Sequence, residues 1–274
     1  MTDHELTVEA GRTGARYWRD LWQYRGLFYF LTWRDILVRY KQTLLGAGWA
    51  LLRPVLTMVV FSVVFGGLAS LPSGGVPYPI LVYAALLPWQ LFAGGLTECG
   101  TSVQKNSNLV SKIYFPRLIV PLSAVMVSLV DFLVASGVLA VMMVWYGVMP
   151  GLRVLLLPLF VLLALLCALG AGLWLAALNV KYRDVQMLIP FLVQVGLFAS
   201  PVGYSSDIVP ERWRFLYSLN PMVGVIDGFR WALGTAAGPP YWPSMAIAAA
   251  LALLLFAFGV WYFRRTERTF ADVI

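Results

Sequence analysis

The sequence predicts an all-α integral membrane protein, and three observations carry that reading. Of its 274 residues, 60% are hydrophobic and only 12% charged, about half the charge of a soluble domain. Several apolar runs reach the roughly 20 residues that a bilayer crossing needs. The basic residues flank those runs instead of gathering on a polar domain. That last pattern explains the net charge of +7 by membrane topology and argues against nucleic-acid binding.

Six spans are read, at about 54–71, 78–97, 119–146, 154–178, 185–203 and 243–263. They form one domain over 1–274, with a polar N-terminal tail (1–20), an interfacial helix (21–45), a six-span core (54–263) and an outer helical hairpin (204–242). The basic residues then orient the chain. Only Arg153, Arg212, Arg214 and Arg230 fall on one side, and the other 16 of 20 Lys and Arg fall on the opposite side. The positive-inside rule places both termini in the cytoplasm.

Residues 21–42, LWQYRGLFYFLTWRDILVRYKQ, carry too much charge to cross. At helical spacing Trp22, Tyr29, Trp33, Ile36 and Tyr40 share one face, with Arg25, Thr32, Asp35 and Arg39 opposite. This suits a helix lying in the cytoplasmic interface, aromatics at headgroup depth and arginines toward water. The competing reading is a soluble helix packed on another domain, and no other domain is visible.

Between spans five and six, Pro210 and Glu211 open a short helix, PERWRFLYSL. A second follows in SLNPMVGVIDGFRWALGT, with Asn220 as N-cap, Pro221 at the first helical position and Gly234 as stop. Both are too short to span and rich in large apolar residues. They read as a re-entrant pair dipping into the outer leaflet.

The absent chemistry is informative. No Gly-Lys dipeptide occurs, since Lys41, Lys105, Lys112 and Lys181 follow Tyr, Gln, Ser and Val; a phosphate-cradling Walker A loop is therefore missing. Gly46-Ala47-Gly48 and Gly170-Ala171-Gly172 lack the third glycine of a dinucleotide fingerprint, and they fit close helix packing through small residues, including Gly172 and Ala176. Cys99 and Cys167 read as small buried hydrophobes, His4 alone builds no metal site, and the N-terminus lacks the order of a cleaved signal peptide. Glu98 and Asp131 lie in or near spans, where carboxylates are costly. With no histidine or lysine in the spans to complete a proton relay, each is expected to be hydrogen-bonded to a neighbouring helix or protonated. The same poverty of histidines and paired carboxylates disfavours a membrane-embedded glycosyl or acyl transferase.

Five stretches together resemble the membrane subunit of bacterial polysaccharide ABC exporters, of ABC-2 type, a family that exports lipid-linked O-antigen, teichoic acid and related polymers. They are RYKQTLLGAGWALLRP (39–54), LPWQLFAGGL (87–96), NSNLVSKIYFPRLIVPLS (106–123), LNVKYRDV (178–185) and SPVGYSSDIVPERWRFLYSLNPMVGVIDGFRWAL (200–233). The likeness runs from about Arg16 to the C-terminus. It implies a homodimer in the bacterial inner membrane, paired with two copies of a separate ATPase subunit that binds the ATP and Mg. No cofactor is expected on this chain. It also implies a lipid-linked polysaccharide substrate, a continuous channel along the dimer axis, and a gating role for the outer hairpin through Gly224, Asp227, Gly228 and Arg230. A small-lipid or drug exporter, and a membrane protein without transport, are the other classes considered.

The resemblance gives the loop between spans two and three a job, since it implies a short coupling helix there that docks on the ATPase. The residues agree: Leu109, Val110 and Ile113 form an apolar patch, Lys112 and Arg117 meet acidic groups, Tyr114 adds a ring, and Pro116 stops the helix. A plain positive-inside anchor would explain the two charges and not the patch. For the channel, aromatic rings let sugars slide without tight binding; Trp89 with Phe92, Phe191 with Phe198, and Tyr204 are the candidates. Core packing is the alternative for each.

Overall fold

The structure is a computed structural model describing residues 14–41, 48–182, 184–236, 238, 240–267 and 270. His4, Arg12, the first part of the expected tail, residues 42–45 of the expected interfacial helix, Gly46, Ala47, Arg183 and Arg268 lie outside the described residues. Among the described residues every regular element is helical.

Two helices precede the bundle, α1 (Gly14–Gln23) and α2 (Arg25–Lys41), followed by α3 (Gly48–Phe61), which runs on as a π-helix over Ser62–Leu68. Next come α4 (Tyr78–Lys105), α5 (Ser107–Lys112), α6 (Ile119–Trp145), α7 (Leu157–Lys181) and α8 (Val185–Ala199). The short α9 (Glu211–Ser218) and α10 (Pro221–Leu233) lead into α11 (Trp242–Thr266). Proline sits in the first turn of α4, α7, α10 and α11, where its missing N–H costs nothing. At α10 the Asn220 side chain accepts from Met222 N–H at 3.1 Å, and Gly234 ends the helix in the left-handed region at φ 74°. That hairpin has the caps its sequence announces.

Two expectations need correcting. The polar tail and the interfacial helix are not one tail and one helix over 1–20 and 21–45, because α1 already begins at Gly14 and a turn at Tyr24 separates it from α2. The first span begins at Gly48, so Arg53 lies inside α3 and not ahead of it; the second continues to Lys105, so Glu98 lies inside α4. Of the six expected spans, five correspond to helical stretches that, among the described residues, are long and apolar enough to cross a membrane; the expected fifth, α8, has 15 residues, about 22 Å of rise against a hydrocarbon core of about 30 Å.

The most buried of the long helices is α4, and against it lies α7, apolar on all sides with Leu159, Leu162 and Trp174 turned outward. Helix α7 packs most extensively on α4 and α11, and small residues permit this. A Cβ added at Gly259 would lie 2.1 Å from the Gly170 carbonyl oxygen, and one at Gly172 would lie 2.6 Å from Cys99 Cβ. Backbone therefore meets backbone at the α7–α11 crossing, the packing that serves in lipid where no hydrophobic drive brings helices together. The buried residues form two main clusters. One, around Tyr83, Trp89, Phe132, Phe160 and Phe229, lies toward the α9–α10 end. The other, around Leu31, Cys99, Phe115, Leu173 and Phe263, lies toward the α5 end.

Candidate functional site

The α5 end carries the loop that the sequence marks for docking. Its entry is fixed by Asn106, whose amide donates to the Ser102 carbonyl at 2.9 Å and whose oxygen accepts from Arg34 on α2 at 2.8 Å. Beyond it Ser111, Lys112, Ile113 and Tyr114 stand exposed, while Val110, Phe115, Pro116 and Leu118 are buried beneath them. The expected apolar patch therefore divides. Val110 points into the core, Leu109 is half-buried, and Ile113 turns outward because it leaves the helix with extended backbone, φ −124° and ψ 134°. Arg117 is corrected too. Its guanidinium donates to the Glu267 backbone carbonyl and lies over the Phe270 ring at 5.9 Å, so within this chain it already has a partner.

Beside that loop, α2, α3, α4 and α6 enclose an open-sided cleft of about 1060 Å³. Arg39 reaches Asp131 at 2.7 Å and Glu98 at 3.3 Å, and Lys105 closes on Glu98 at 2.9 Å. The Tyr40 hydroxyl donates to Asp131 at 2.5 Å. Both intramembrane carboxylates are thus paired to neighbouring helices. The faces assigned to the interfacial helix are corrected accordingly. Trp22, Tyr29 and Trp33 are exposed and Ile36 is half-buried, but Tyr40 turns to α6, and Arg39, half-exposed, turns to the carboxylates of the bundle. The reason is the carboxylates: a half-buried charge attracts the nearest cation, and sequence spacing along α2 alone does not reveal where Glu98 and Asp131 lie. The signal that was available is the pairing of two costly carboxylates with an arginine-rich helix.

At the opposite end, Arg230 is 3% exposed and its guanidinium donates to the carbonyls of Leu81, Tyr204 and Val202 at 3.0, 2.9 and 3.1 Å. A planar five-donor fork is suited to collecting several backbone acceptors at once, so this residue ties α10 to the start of α4 and to the turn after α8. Asp227, one turn away, is half-buried near the Ser206 hydroxyl. Gly224 and Gly228 bring α10 against α11 and α7; added Cβ atoms would lie 2.4 Å from the Ser244 carbonyl oxygen and 2.0 Å from the Phe160 ring. These two glycines are core contacts.

The five aromatics do not form one group, although Trp89 meets Phe92 and the Tyr204 hydroxyl reaches the Phe198 carbonyl at 3.3 Å. Trp89 is 4% exposed, edged by Phe92 at 5.4 Å and covered by Gly196 of α8, so it faces packed protein. Phe191 and Phe198, at 60% and 57% exposure, lie with the open apolar surface of α8. Tyr204 bonds to Tyr217 of α9 at 3.0 Å.

A family model described as ABC-2 type transporter matches residues 26–233. An O-antigen export system permease protein, RfbA, of Myxococcus xanthus is 33% identical over 260 residues, covering 93% of this chain and 98% of its own. A protein of the same name from Klebsiella pneumoniae is 26% identical over 251 residues, 90% of this chain and 95% of its own. The polysialic acid transport protein KpsM of Escherichia coli is 23% identical over 201 residues, 71% of this chain and 76% of its own.

Proposed function

The chain belongs to the ABC-2 type transporter family, and from that premise we propose that it is the membrane permease of an ATP-driven polysaccharide exporter. Its cargo is an undecaprenyl-linked polysaccharide, O-antigen first, moved across the bacterial inner membrane. The relatives named for O-antigen export, which match nearly the whole chain, support that cargo. The relative named for polysialic acid transport keeps a capsular polymer as the second reading, with teichoic acid beside it. Two copies of this chain pair with two copies of a separate ATPase subunit, which holds ATP and Mg. Six spans, with α8 as the short fifth, leave both termini and α5 in the cytoplasm and the α9–α10 hairpin outside, where it acts as a gate.

The observation that carries the reading is the exposed run Ser111–Tyr114, standing on a buried base between two spans. A bare connection has no reason to hold Ile113 and Tyr114 out to solvent beside Lys112, whereas a partner surface does. The test is a Lys112→Glu, Ile113→Ala, Tyr114→Ala series in the co-expressed complex. Co-purified ATPase and surface polymer are expected to fall together while membrane insertion persists. Unchanged association across the series would sink the docking role. A host lacking this chain is expected to accumulate lipid-linked polymer inside and lose it from the surface; wild-type surface polymer would refute the cargo.

A further inference from the structure

We infer that Glu267 and Phe270, just past α11, form the seat on which the ATPase-docking run is set, and that Arg117 is a positioning residue acting through them. This rests on the exporter reading above. Three stretches far apart in sequence meet here. Arg117 follows the exposed run by three residues, and its guanidinium donates to the Glu267 carbonyl just past the end of α11. Helix C-termini leave carbonyls without intrahelical partners and carry partial negative charge, so a cation is the natural occupant. The same guanidinium lies over the ring of Phe270, which is 0% exposed and meets Phe263 of α11 edge-on at 5.3 Å. From the other side the Tyr17 hydroxyl of α1 donates to the Glu267 carboxylate at 3.0 Å, and Arg264 covers the Tyr17 ring at 4.4 Å.

The docking run itself has little else to define it. Helix α5 is only six residues long, too short to hold a geometry unaided. Its exposed side chains are therefore only as well placed as the base beneath them. With Arg117 and Phe270 removed, the run samples more positions, and docking must order it at the moment of binding. The arrangement also links the run directly to α11, which meets α7 at the Gly170–Gly259 crossing and α10 where Gly224 lies against Ser244.

The test uses the full chain co-expressed with its ATPase subunit, in Arg117→Ala, Phe270→Ala and the double variant, with Lys112→Glu as the direct-contact control. Each single variant is expected to lower retained ATPase about fivefold, and the double to be no worse than either, as for two residues acting through one contact. The permease alone is expected to keep its thermal midpoint and yield in Arg117→Ala but to lose midpoint in Phe270→Ala, which empties a buried site, and Arg117→Lys is expected to restore part of the association. If Arg117→Ala weakens association while Phe270→Ala does not, Arg117 touches the partner and the inference is overturned. Multiplying effects overturn it as well. Should both leave association intact while Lys112→Glu breaks it, the seat fails and the docking role stands; should Lys112→Glu also be silent, both fail. Phe270→Leu covers a folding failure of the alanine variant, since it keeps the burial and loses the ring under the guanidinium. About a twofold loss is expected, and wild-type association would refute the seat.

Discussion

Arg39 on α2 stands between two carboxylates of the bundle, 2.7 Å from Asp131 on α6 and 3.3 Å from Glu98 on α4. One side chain of α2 thus ties together two helices of the bundle; Glu98 also has Lys105 at 2.9 Å, whereas Asp131 has Arg39 as its nearest ionic partner. Removing the cation leaves Asp131 without its nearest ionic partner, while removing both charges leaves none to compensate. Arg39→Ala is expected to destabilise the chain by about 1–2 kcal/mol, discounted for the partial exposure of the pair. Arg39→Ala with Asp131→Asn is expected to cost less than the sum of the single changes. Thermal midpoints of the four proteins in one detergent decide it; strict additivity would mean the pair is not coupled.

The two glycine environments separate packing from propensity. A methyl group at Gly259 would press on the Gly170 carbonyl, with backbone on both sides and nothing free to yield, whereas Gly137 of α6 has nothing within 4 Å of its would-be Cβ. Gly259→Ala is expected to cost about 3 kcal/mol and to lower folded yield by size-exclusion chromatography. Gly137→Ala is expected to be neutral or stabilising by about 0.5–1 kcal/mol. Gly224 and Gly228 belong with Gly259, so bulky residues there remove folded protein and do not merely shift a gate.

Burial holds the Asp227 carboxyl up to about 6 from its ordinary 3.8, with Asp207 adding to the rise and Ser206 and Arg230 opposing it. The folded state therefore keeps a proton through a range where the unfolded chain has lost it, and stability falls as pH rises across that range. The contribution is complete below about pH 4 and gone above about pH 6, on the order of 3 kcal/mol. Thermal midpoints between about pH 4.5 and 6.5 are expected to decline, and Asp227→Asn to flatten the decline. An unchanged slope in the variant would assign the effect elsewhere.

Trp89 and Phe198 were alike as channel candidates, and their burial now parts them. Trp89→Ala empties a packed site under Gly196 and is expected to cost about 3–5 kcal/mol, seen as lost yield. Phe191→Ala and Phe198→Ala are expected to leave the single chain within about 0.5 kcal/mol of wild type, so any fall in export from them reports on the assembled path. Full yield from Trp89→Ala would return that ring to the channel.

What the sequence determined by itself was the class of protein and its periodic parts. Long apolar runs have no stable alternative to a membrane helix, so the all-helical fold followed from composition. The α9–α10 hairpin was legible to its caps, because Asn220, Pro221 and Gly234 act on backbone atoms within a few residues of themselves. Close packing through Gly170 and Gly172 was legible for a similar reason, since small residues in a span have little other use. Tertiary structure alone decided which way polar side chains turn. Tyr40 and Arg39 were assigned a face by spacing along one helix, Val110 and Arg117 a docking surface by residue type, and each is redirected by a group far away in sequence: Asp131, Glu98, the core beneath α5 and the carbonyl of Glu267. In a medium without water, a charge or hydroxyl takes whatever partner the fold brings within reach. Helical periodicity describes one element at a time, whereas the identity of that partner is a property of several.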